Sequence, residues 1–211
     1  MENDTPNKIK ISKEIIATLP IETFPGKIVV IDNERDADNA VLQLNNERII
    51  GFDTETRPTF KKGKSNHVAL IQLSTHDTCY LFRINRIGFT PAIKNLLENE
   101  SLLKVGISLK DDVCMLSRLN GGQFIPRNFI ELQKFVKKYN IEDQSLQKIY
   151  GIVIGKKISK GQRLSNWEAD HLTENQQLYA ATDAWSCIKI YEVLKSGKFK
   201  SPIYKIQPSS L

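Results

Sequence analysis

Short apolar runs alternate along the chain with longer segments of helical spacing. The apolar runs predict five strands, at residues 27–31, 48–55, 67–74, 78–84 and 102–106. Apolar residues three and four apart predict a helix through Ala37, Val41 and Leu44, and helices near 12–18, 90–98, 108–119, 130–139, 145–151 and 173–195. This order of elements predicts an α/β fold in which a mixed sheet carries helices on both faces.

The chain length of 211 residues fits one domain with a sizeable core. We expect that domain at residues 26–197, between a loosely attached N-terminal arm at 1–25 and a C-terminal tail at 198–211. No apolar run approaches the ~18 residues of a membrane span, and the polar N-terminus lacks a signal-peptide core. We therefore expect a soluble, cytoplasmic or otherwise intracellular protein with no membrane partner.

Cysteine and histidine form no metal-binding pattern. The three cysteines, Cys79, Cys114 and Cys187, include no CxxC pair, and the three histidines lack zinc-ligand spacing. This usage fits a reducing compartment and argues against a zinc site. The net charge of +6 and the pI of about 9.1 suit a polyanion partner, and equally a lysine-rich solvated surface.

Acidic residues carry the chemical information, beginning with Asp53 and Glu55 in IIGFDTET. Asp-x-Glu alone is a weak signal, and a second such pair, Asp32 and Glu34, also follows an apolar strand. Residues i and i+2 share a face only while the strand continues. Glu34 falls in the following helix, which Asp32 and Asn33 can cap, so Asp32 is better interpreted as a helix cap. No helical pattern follows Glu55, and we expect Asp53 and Glu55 to point the same way.

A tyrosine and an aspartate near the C-terminus share one helix face. Tyr179 and Asp183 lie inside the last predicted helix, where residues i and i+4 are neighbours and can address the same ligand. Tyr139 and Asp143 have the same spacing but straddle an expected helix end. Taken alone, Tyr179 would more often be a half-buried core tyrosine.

One further acid lies on the inward face of a helix. Leu109, Val113 and Leu116 define the core-facing stripe of that helix, and Asp112 lies within the stripe whereas Asp111 lies off it. Burying a carboxylate on an inward face is costly unless it is paired, and a bound metal would pair it. The alternative is an aspartate at the edge of the stripe that reaches water.

Carboxylates so far apart in sequence are useful together only if the fold brings them to one point. Asp53, Glu55, Asp112 and Asp183 would then repel one another, and several would take up protons, unless a cation lay among them. Hard oxygen ligands suit Mg²⁺ or Mn²⁺. A carboxylate site with two such ions is suited to in-line attack on a phosphodiester.

Three segments resemble the motifs of the DEDDy 3'→5' exonucleases: FDTET…HVALIQLS, KVGISLKDDVCML and RLSNWEADHLTENQQLYAATDA. The resemblance covers roughly residues 27–195 and is greatest to the exonuclease domain of the Werner syndrome protein, with ribonuclease D more distant. It implies a ribonuclease H-like fold with a five-stranded mixed sheet flanked by helices. It also implies a two-metal-ion 3'→5' exonuclease that releases 5'-mononucleotides from DNA or RNA.

The motifs assign roles residue by residue. A sister subgroup places histidine five residues before the last aspartate, where this chain has Leu178, so the tyrosine class is indicated. The resemblance implies that four acids hold two Mg²⁺ or Mn²⁺ ions and that a tyrosine orients the water or the scissile phosphate. The catalytic residues it indicates are Asp53, Glu55, Asp112, Tyr179 and Asp183, of which the four acids are the metal ligands.

Substrate contacts are expected from the basic stretch that precedes the third motif. We expect these residues to bind the phosphate backbone of the substrate. Such contacts weaken with added salt and depend little on nucleotide sequence. The residues that we expect to make them are Lys156, Lys157, Lys160 and Arg163. The alternative is a solvated loop. A second basic cluster lies at residues 61–64, and Trp167 could pack the loop onto the core or stack on a base.

Two other functions use the same fold. One is a nucleic-acid-binding module with little catalysis, and the other is an endonuclease of the ribonuclease H type, since fold does not fix function. The choice between DNA and RNA depends on contacts to the 2' hydroxyl, which no sequence pattern here places. Oligomeric state and protein partners are equally open.

Overall fold

A computed structural model describes residues 8–58 and 67–200. The strands in this part of the chain are β1 (Lys27–Ile31), β2 (Ile49–Thr56), β3 (Val68–Ser74), β4 (Thr78–Phe82), β5 (Leu103–Gly106) and β6 (Phe129–Glu131). The helices are α1 (Lys13–Thr18), α2 (Glu34–Leu44), α3 (Ile84–Ile87), α4 (Pro91–Glu98), α5 (Leu109–Leu119), α6 (Leu132–Phe135), α7 (Leu146–Ile154) and α8 (Glu174–Lys195). A 3₁₀ helix at Val136–Tyr139 follows α6. The predicted basic cluster at 61–64 lies outside the described residues.

The strands form one mixed sheet in the order β1-β4-β3-β2-β5-β6. β3 runs antiparallel to both of its neighbours, β2 and β4. The other neighbouring pairs are parallel. The predicted α/β class with a mixed sheet is therefore confirmed, and β2 lies in the interior of the sheet with a neighbour on each side.

Helices cover both faces of the sheet, and strand alternation divides the core accordingly. Ile50 and Phe52 of β2 are buried with the apolar residues of α2, α4 and α5. Leu70 of β3 and Leu81 of β4 are buried on the other face, with α7, α8 and the N-terminal segment. No helix in the described ranges is both long enough and apolar enough to cross a membrane.

Within the described residues, the sheet has six strands rather than the predicted five. Residues 129–131 pair in parallel with β5, where the sequence predicted a helix near 130–139. The helical part is limited to the short α6 and the 3₁₀ helix that follows it. Three residues are too few to show a strand period, so only pairing with β5 reveals this strand.

The structure selects one of the two predicted caps of α2. The helix begins at Glu34 as expected, and Asn33 is its N-cap, which accepts a hydrogen bond from the Asp36 N–H at 2.9 Å. Asp32 does not cap the helix. Its carboxylate lies 3.9 Å from the guanidinium of Arg86.

The described part of the N-terminal arm is packed against the domain, so the expected loose attachment is wrong. Ile9, Ile11 and Leu19 are buried in the core on the α8 side. The Phe24 N–H donates a hydrogen bond of 3.0 Å to Thr182 Oγ1 on α8. Burial of these apolar side chains ties the segment to the sheet, while the division of the chain at residues 25/26 and 197/198 stays a prediction.

The long helix α8 crosses β2 where a glycine lets the two backbones approach. A Cβ added at Gly51 would lie 1.9 Å from the carbonyl oxygen of Ala184, and 3.3 Å from Ile188 Cγ1. Any side chain larger than hydrogen would therefore push the helix away from the strand. Asp53 follows Gly51 by two residues and Asp183 precedes Ala184, so this approach brings the two aspartates together.

Gly51→Ala should destabilise the fold by about 1–3 kcal/mol or more, because the backbone of α8 must shift to admit the methyl group. Urea unfolding followed by circular dichroism measures the change. Gly161→Ala is the control, since a Cβ there would meet only Ser159 Oγ at 3.4 Å. We expect the control to stay within about 0.5 kcal/mol of the wild type. Equal unfolding midpoints for the two variants would contradict the close approach.

Candidate active site

Strand geometry places Asp53 and Glu55 on the face of β2 that α8 covers. Alternation sends Phe52, the residue before Asp53, into the opposite core. Asp53 pairs with Gln72 of β3, and Glu55 pairs with Leu70 two residues away. The register of this pairing changes only after Glu55, so both acids leave a regular stretch of strand on the same side.

Helix α8 supplies the third carboxylate. Its start is held by a capping box, in which Thr173 Oγ1 accepts the Gln176 N–H at 3.2 Å and Gln176 Oε1 accepts the Thr173 N–H at 3.0 Å. Tyr179 and Asp183 follow one turn apart on the same face of the helix. Asp183 is only 8% exposed.

Three acids converge on one point. One carboxylate oxygen each from Asp53, Glu55 and Asp183 lie within 4.8 Å of one another. Oxygen atoms at this spacing can share a cation, and a set made only of carboxylates suits a hard ion such as Mg²⁺ or Mn²⁺. The residues present therefore fit a divalent metal.

Burial raises the pKa of all three carboxyl groups, and the charges of neighbouring acids raise it further for Asp53 and Glu55. Burial is the largest cause for Asp53, followed by the charges of Asp183, Glu55 and Asp112, and its pKa is well above the ordinary value. Burial and then the charges of Asp183 and Asp112 raise the pKa of Glu55 to about 9. Burial raises the pKa of Asp183 to about 7, although a hydrogen bond from Tyr179 acts in the opposite direction. A bound cation would relieve this repulsion.

Asp112 lies beside the three-carboxylate group. Its Oδ1 accepts a hydrogen bond from Thr54 Oγ1. Burial raises the pKa of Asp112 to about 6, and the Thr54 hydrogen bond limits the rise. The charge of Asp112 in turn raises the pKa of Asp53 and of Glu55, so the four acids act on one another electrostatically.

The sequence did not indicate two residues that position Asp112, namely Thr54 and Glu131. The Glu131 carboxylate accepts the N–H groups of Ser108 and Leu109 at 3.1 and 2.8 Å, which holds the first turn of α5. Strand alternation points Thr54 away from the two acids of β2, so it could have been found only by asking which helix covers the opposite face of the strand. Glu131 is far from α5 in sequence, and no local pattern relates the two.

The Tyr179 hydroxyl lies close enough to the Asp183 carboxylate to lower its pKa. Burial, and then the charges of Asp183 and Glu55, raise the pKa of Tyr179 well above its ordinary value. The tyrosine ring lies 6.0 Å, centroid to centroid, from the ring of Trp167. Trp167 is fully buried. It therefore packs the loop onto the core, and its ring is not available to stack on a base.

Two of the four residues predicted to contact phosphate bind other residues of the protein instead. Lys156 Nζ lies 2.8 Å from Glu22 Oε1. Lys157 Nζ donates a hydrogen bond to the carbonyl oxygen of Ala17. Both lysines therefore hold the loop after α7 to the N-terminal segment.

The other two residues predicted to contact phosphate act electrostatically on the carboxylates. Lys160 and Arg163 are exposed. The charge of Lys160 lowers the pKa of Asp183, against the larger effect of burial. The charge of Arg163 lowers the pKa of Glu55 in the same way. These two cations therefore stand at the edge of the acidic site.

The chain shares its fold with solved exonuclease structures. The Nibbler EXO domain of Aedes aegypti superimposes with a TM-score of 0.74 at 23% identity, covering 83% of this chain and 91% of that one. Escherichia coli RNase D gives a TM-score of 0.72 at 20% identity, with 82% of this chain and 45% of that one covered. These similarities show a ribonuclease H-like exonuclease fold.

Sequence similarity leads to the same group. The mouse bifunctional 3'-5' exonuclease/ATP-dependent helicase WRN is 34% identical over 208 residues, which is 90% of this chain but only 14% of the mouse protein. A family model described as 3'-5' exonuclease matches residues 28–197, well over half of the chain. This protein therefore belongs to the 3'-5' exonuclease family.

Proposed function

We propose that this chain is a metal-dependent 3'→5' exonuclease of the DEDDy subgroup. The observation that carries the proposal is the convergence of carboxylate oxygens from Asp53, Glu55 and Asp183 within 4.8 Å. Membership of the 3'-5' exonuclease family supports the reaction and its direction. Tyr179, one turn before Asp183 on the same face of α8, supports the tyrosine subgroup.

Two Mg²⁺ or Mn²⁺ ions are the cofactors that we propose. Asp53, Glu55 and Asp183 would hold one ion, and Asp112 together with Asp53 would hold the second. Such ions, when bound, activate water and stabilise negative charge on the leaving 3' oxygen of a phosphodiester. The charges of four buried or half-buried acids, which otherwise oppose one another, support a site for more than one positive charge.

Tyr179 would orient the reacting groups as a hydrogen-bond donor. Its raised pKa keeps the hydroxyl protonated at neutral pH, so it is not a general base. The Tyr179 ring lies 6.0 Å, centroid to centroid, from the buried ring of Trp167, which supports the side chain beside the carboxylates. A hydroxyl supported in this way would lower the barrier by holding the attacking water or the scissile phosphate in line.

Of the four residues predicted to contact phosphate, we retain Lys160 and Arg163 in the proposal. Both are exposed and act electrostatically on the site, whereas Lys156 and Lys157 are engaged with the N-terminal segment. Contacts to the phosphate backbone do not depend on sequence and weaken with added salt. The E. coli relative is described as an exoribonuclease and the mouse relative also as a helicase. DNA and RNA with a free 3' end are therefore both substrates to test.

Asp53→Asn should lower turnover at least ~100-fold, because it removes a carboxylate that is central to the acidic group. Gel time courses on 5'-labelled recessed duplex, single-stranded DNA and single-stranded RNA measure it, each with Mg²⁺, Mn²⁺ or EDTA. A ladder that shortens one nucleotide at a time, and only with metal, is expected for the wild type. Asp32→Asn is the matched control, since Asp32 is the other aspartate of an Asp-x-Glu pair after a strand.

Equal turnover by the wild type and Asp53→Asn would contradict the assignment of the acidic group as the active site. Cleavage of a circular single strand, which offers no 3' end, would favour the endonuclease alternative. Metal-independent binding without shortening of any substrate would favour the binding module.

Tyr179→Phe should lower kcat about 10–100-fold and change KM less than about threefold, since the hydroxyl orients groups rather than holding the chain. Steady-state kinetics on the preferred substrate measure both constants. Tyr139→Phe is the control, because Tyr139 has the same spacing to Asp143 but packs against Phe135. A loss expressed mainly in KM would show that Tyr179 binds substrate instead.

Divalent ions should stabilise the fold, and more strongly as the pH rises. The carboxyls have raised pKa values, so the metal-free fold is most stable when they are protonated and loses that stability as the pH rises through about 7 for Asp183 and about 9 for Glu55. A bound ion replaces those protons. At about 100 times its Kd it should raise Tm by about 5–10 °C.

Differential scanning fluorimetry between pH 6 and pH 9, with and without Mg²⁺ or Mn²⁺, measures this effect. We expect the metal-induced rise in Tm to grow across that range in the wild type. Asp183→Asn should show a smaller rise, because it removes one ligand and one repelling charge. A Tm that neither ion changes at any pH would contradict the metal site.

A further inference from the structure

One buried glutamine of the sheet has an unpaired side chain. Gln72 of β3 is fully buried, and neither its amide nitrogen nor its amide oxygen has a hydrogen-bond partner among the described residues. The other buried glutamine of the described ranges is Gln176, whose Oε1 accepts the Thr173 N–H at 3.0 Å and whose Nε2 donates to the Asn166 carbonyl oxygen at 3.2 Å. A buried amide without partners destabilises a protein, so the one at Gln72 requires an explanation.

The register of the sheet places this amide next to Asp53. Gln72 lies directly opposite Asp53 in the antiparallel pair of β3 with β2. Residues that are directly opposite in such a pair point to the same face, with their Cβ atoms roughly 4.5–5.5 Å apart. A glutamine side chain spans a distance of this size, so the amide of Gln72 can reach the carboxylate of Asp53.

The other neighbours of Gln72 on this face of the sheet are poor partners for an amide. Its partner in β4 is Leu81, and the preceding residue of β3 on the same face is Leu70, and both are apolar and fully buried. The following residue on that face is Ser74, whose hydroxyl already donates to a backbone carbonyl oxygen at 2.9 Å. Helix α8 packs against both β2 and β3 and covers this face. Among these neighbours in the sheet, only Asp53 carries a charged side chain.

Asp53 can accept a further hydrogen bond. Its Oδ1 accepts the Thr54 N–H at 2.9 Å, and an ionised carboxylate has about four acceptor positions on its two oxygens. Carboxylates that bind metal ions are commonly oriented by hydrogen bonds from groups that do not touch the metal themselves. A neutral donor suits this task within an acidic group, because it orients a carboxylate without adding a charge.

We propose that Gln72 is a positioning residue, whose side-chain Nε2 donates a hydrogen bond to the Asp53 carboxylate in the metal-bound site and holds that carboxylate toward the ion. The inference rests on the proposed function and adds a residue that touches neither metal nor substrate. The unpaired amide destabilises the metal-free protein, and a hydrogen bond to an ionised carboxylate would offset that cost when the ion binds.

Gln72 should therefore favour metal binding at the expense of stability. Gln72→Met keeps the length and approximate volume of the side chain but removes the donor. Without metal, the Tm of this variant should equal that of the wild type or exceed it by up to about 5 °C, because an unpaired buried amide is lost. Its Kd for Mn²⁺ should be about 10-fold or more weaker. Differential scanning fluorimetry in EDTA and isothermal titration calorimetry with Mn²⁺ measure the two quantities.

The matched control is Ser74→Ala. Ser74 is as buried as Gln72 and lies on the same face of β3, but it is opposite Gly51 and not opposite an acid. This variant loses a satisfied hydrogen bond, so it should lower the metal-free Tm by a few degrees while the Kd for Mn²⁺ stays nearly unchanged. Gln72→Leu, which also lacks a donor, gives a second variant if methionine packs poorly at this position.

The outcomes separate the role of Gln72 from the metal site itself. Equal Mn²⁺ affinities for the wild type and both Gln72 variants would overturn the role of Gln72 and leave the proposed function standing. A weaker affinity that comes with a metal-free Tm below that of Ser74→Ala in both variants would show a packing role, and would overturn the inference as well. A wild type that binds neither Mn²⁺ nor Mg²⁺ would count against the metal site, and the role of Gln72 would fall with it.

Discussion

The whole site depends on the close approach of α8 to β2 at Gly51. The helix backbone occupies the space that any side chain at this position would need, with the Ala184 carbonyl oxygen against the strand. One strand and one helix thereby bring together the carboxylates of Asp53 and Asp183, which are 130 residues apart in sequence. A slightly wider separation would leave two acids on a strand and one on a distant helix, with no common ligand.

This approach has an electrostatic cost that the rest of the fold must offset. Burial raises the pKa of Asp53, Glu55 and Asp183, and repulsion by the other acids raises that of Asp53 and Glu55 further, so the convergence is unfavourable when no cation is present. Apolar cores on both faces of the sheet hold the elements in place, and the capping box fixes the start of α8. Strain of this kind is common where a site is built for a charged ligand.

The loop between α7 and α8 joins the acidic site to the N-terminal segment. Lys156 and Lys157 attach it to that segment, and Trp167 attaches it to the core beside Tyr179. The loop held in this way also carries Lys160 and Arg163, whose charges act on Asp183 and Glu55. Burial of residues 9–24 thus supports the site indirectly, because it supplies the partners that hold the loop.

The sequence by itself determined which residues share a face of one element. Asp53 and Glu55 follow from a strand period of two, and Tyr179 and Asp183 from a helix period near 3.6, because both periods are properties of the local backbone. Tertiary structure alone decided that Thr54 holds Asp112, that residues 129–131 form a sixth strand, and that two of four basic residues bond the N-terminal segment. Each of these outcomes depends on a partner distant in the chain, and a charged or polar side chain carries no local sign of which partner it will meet.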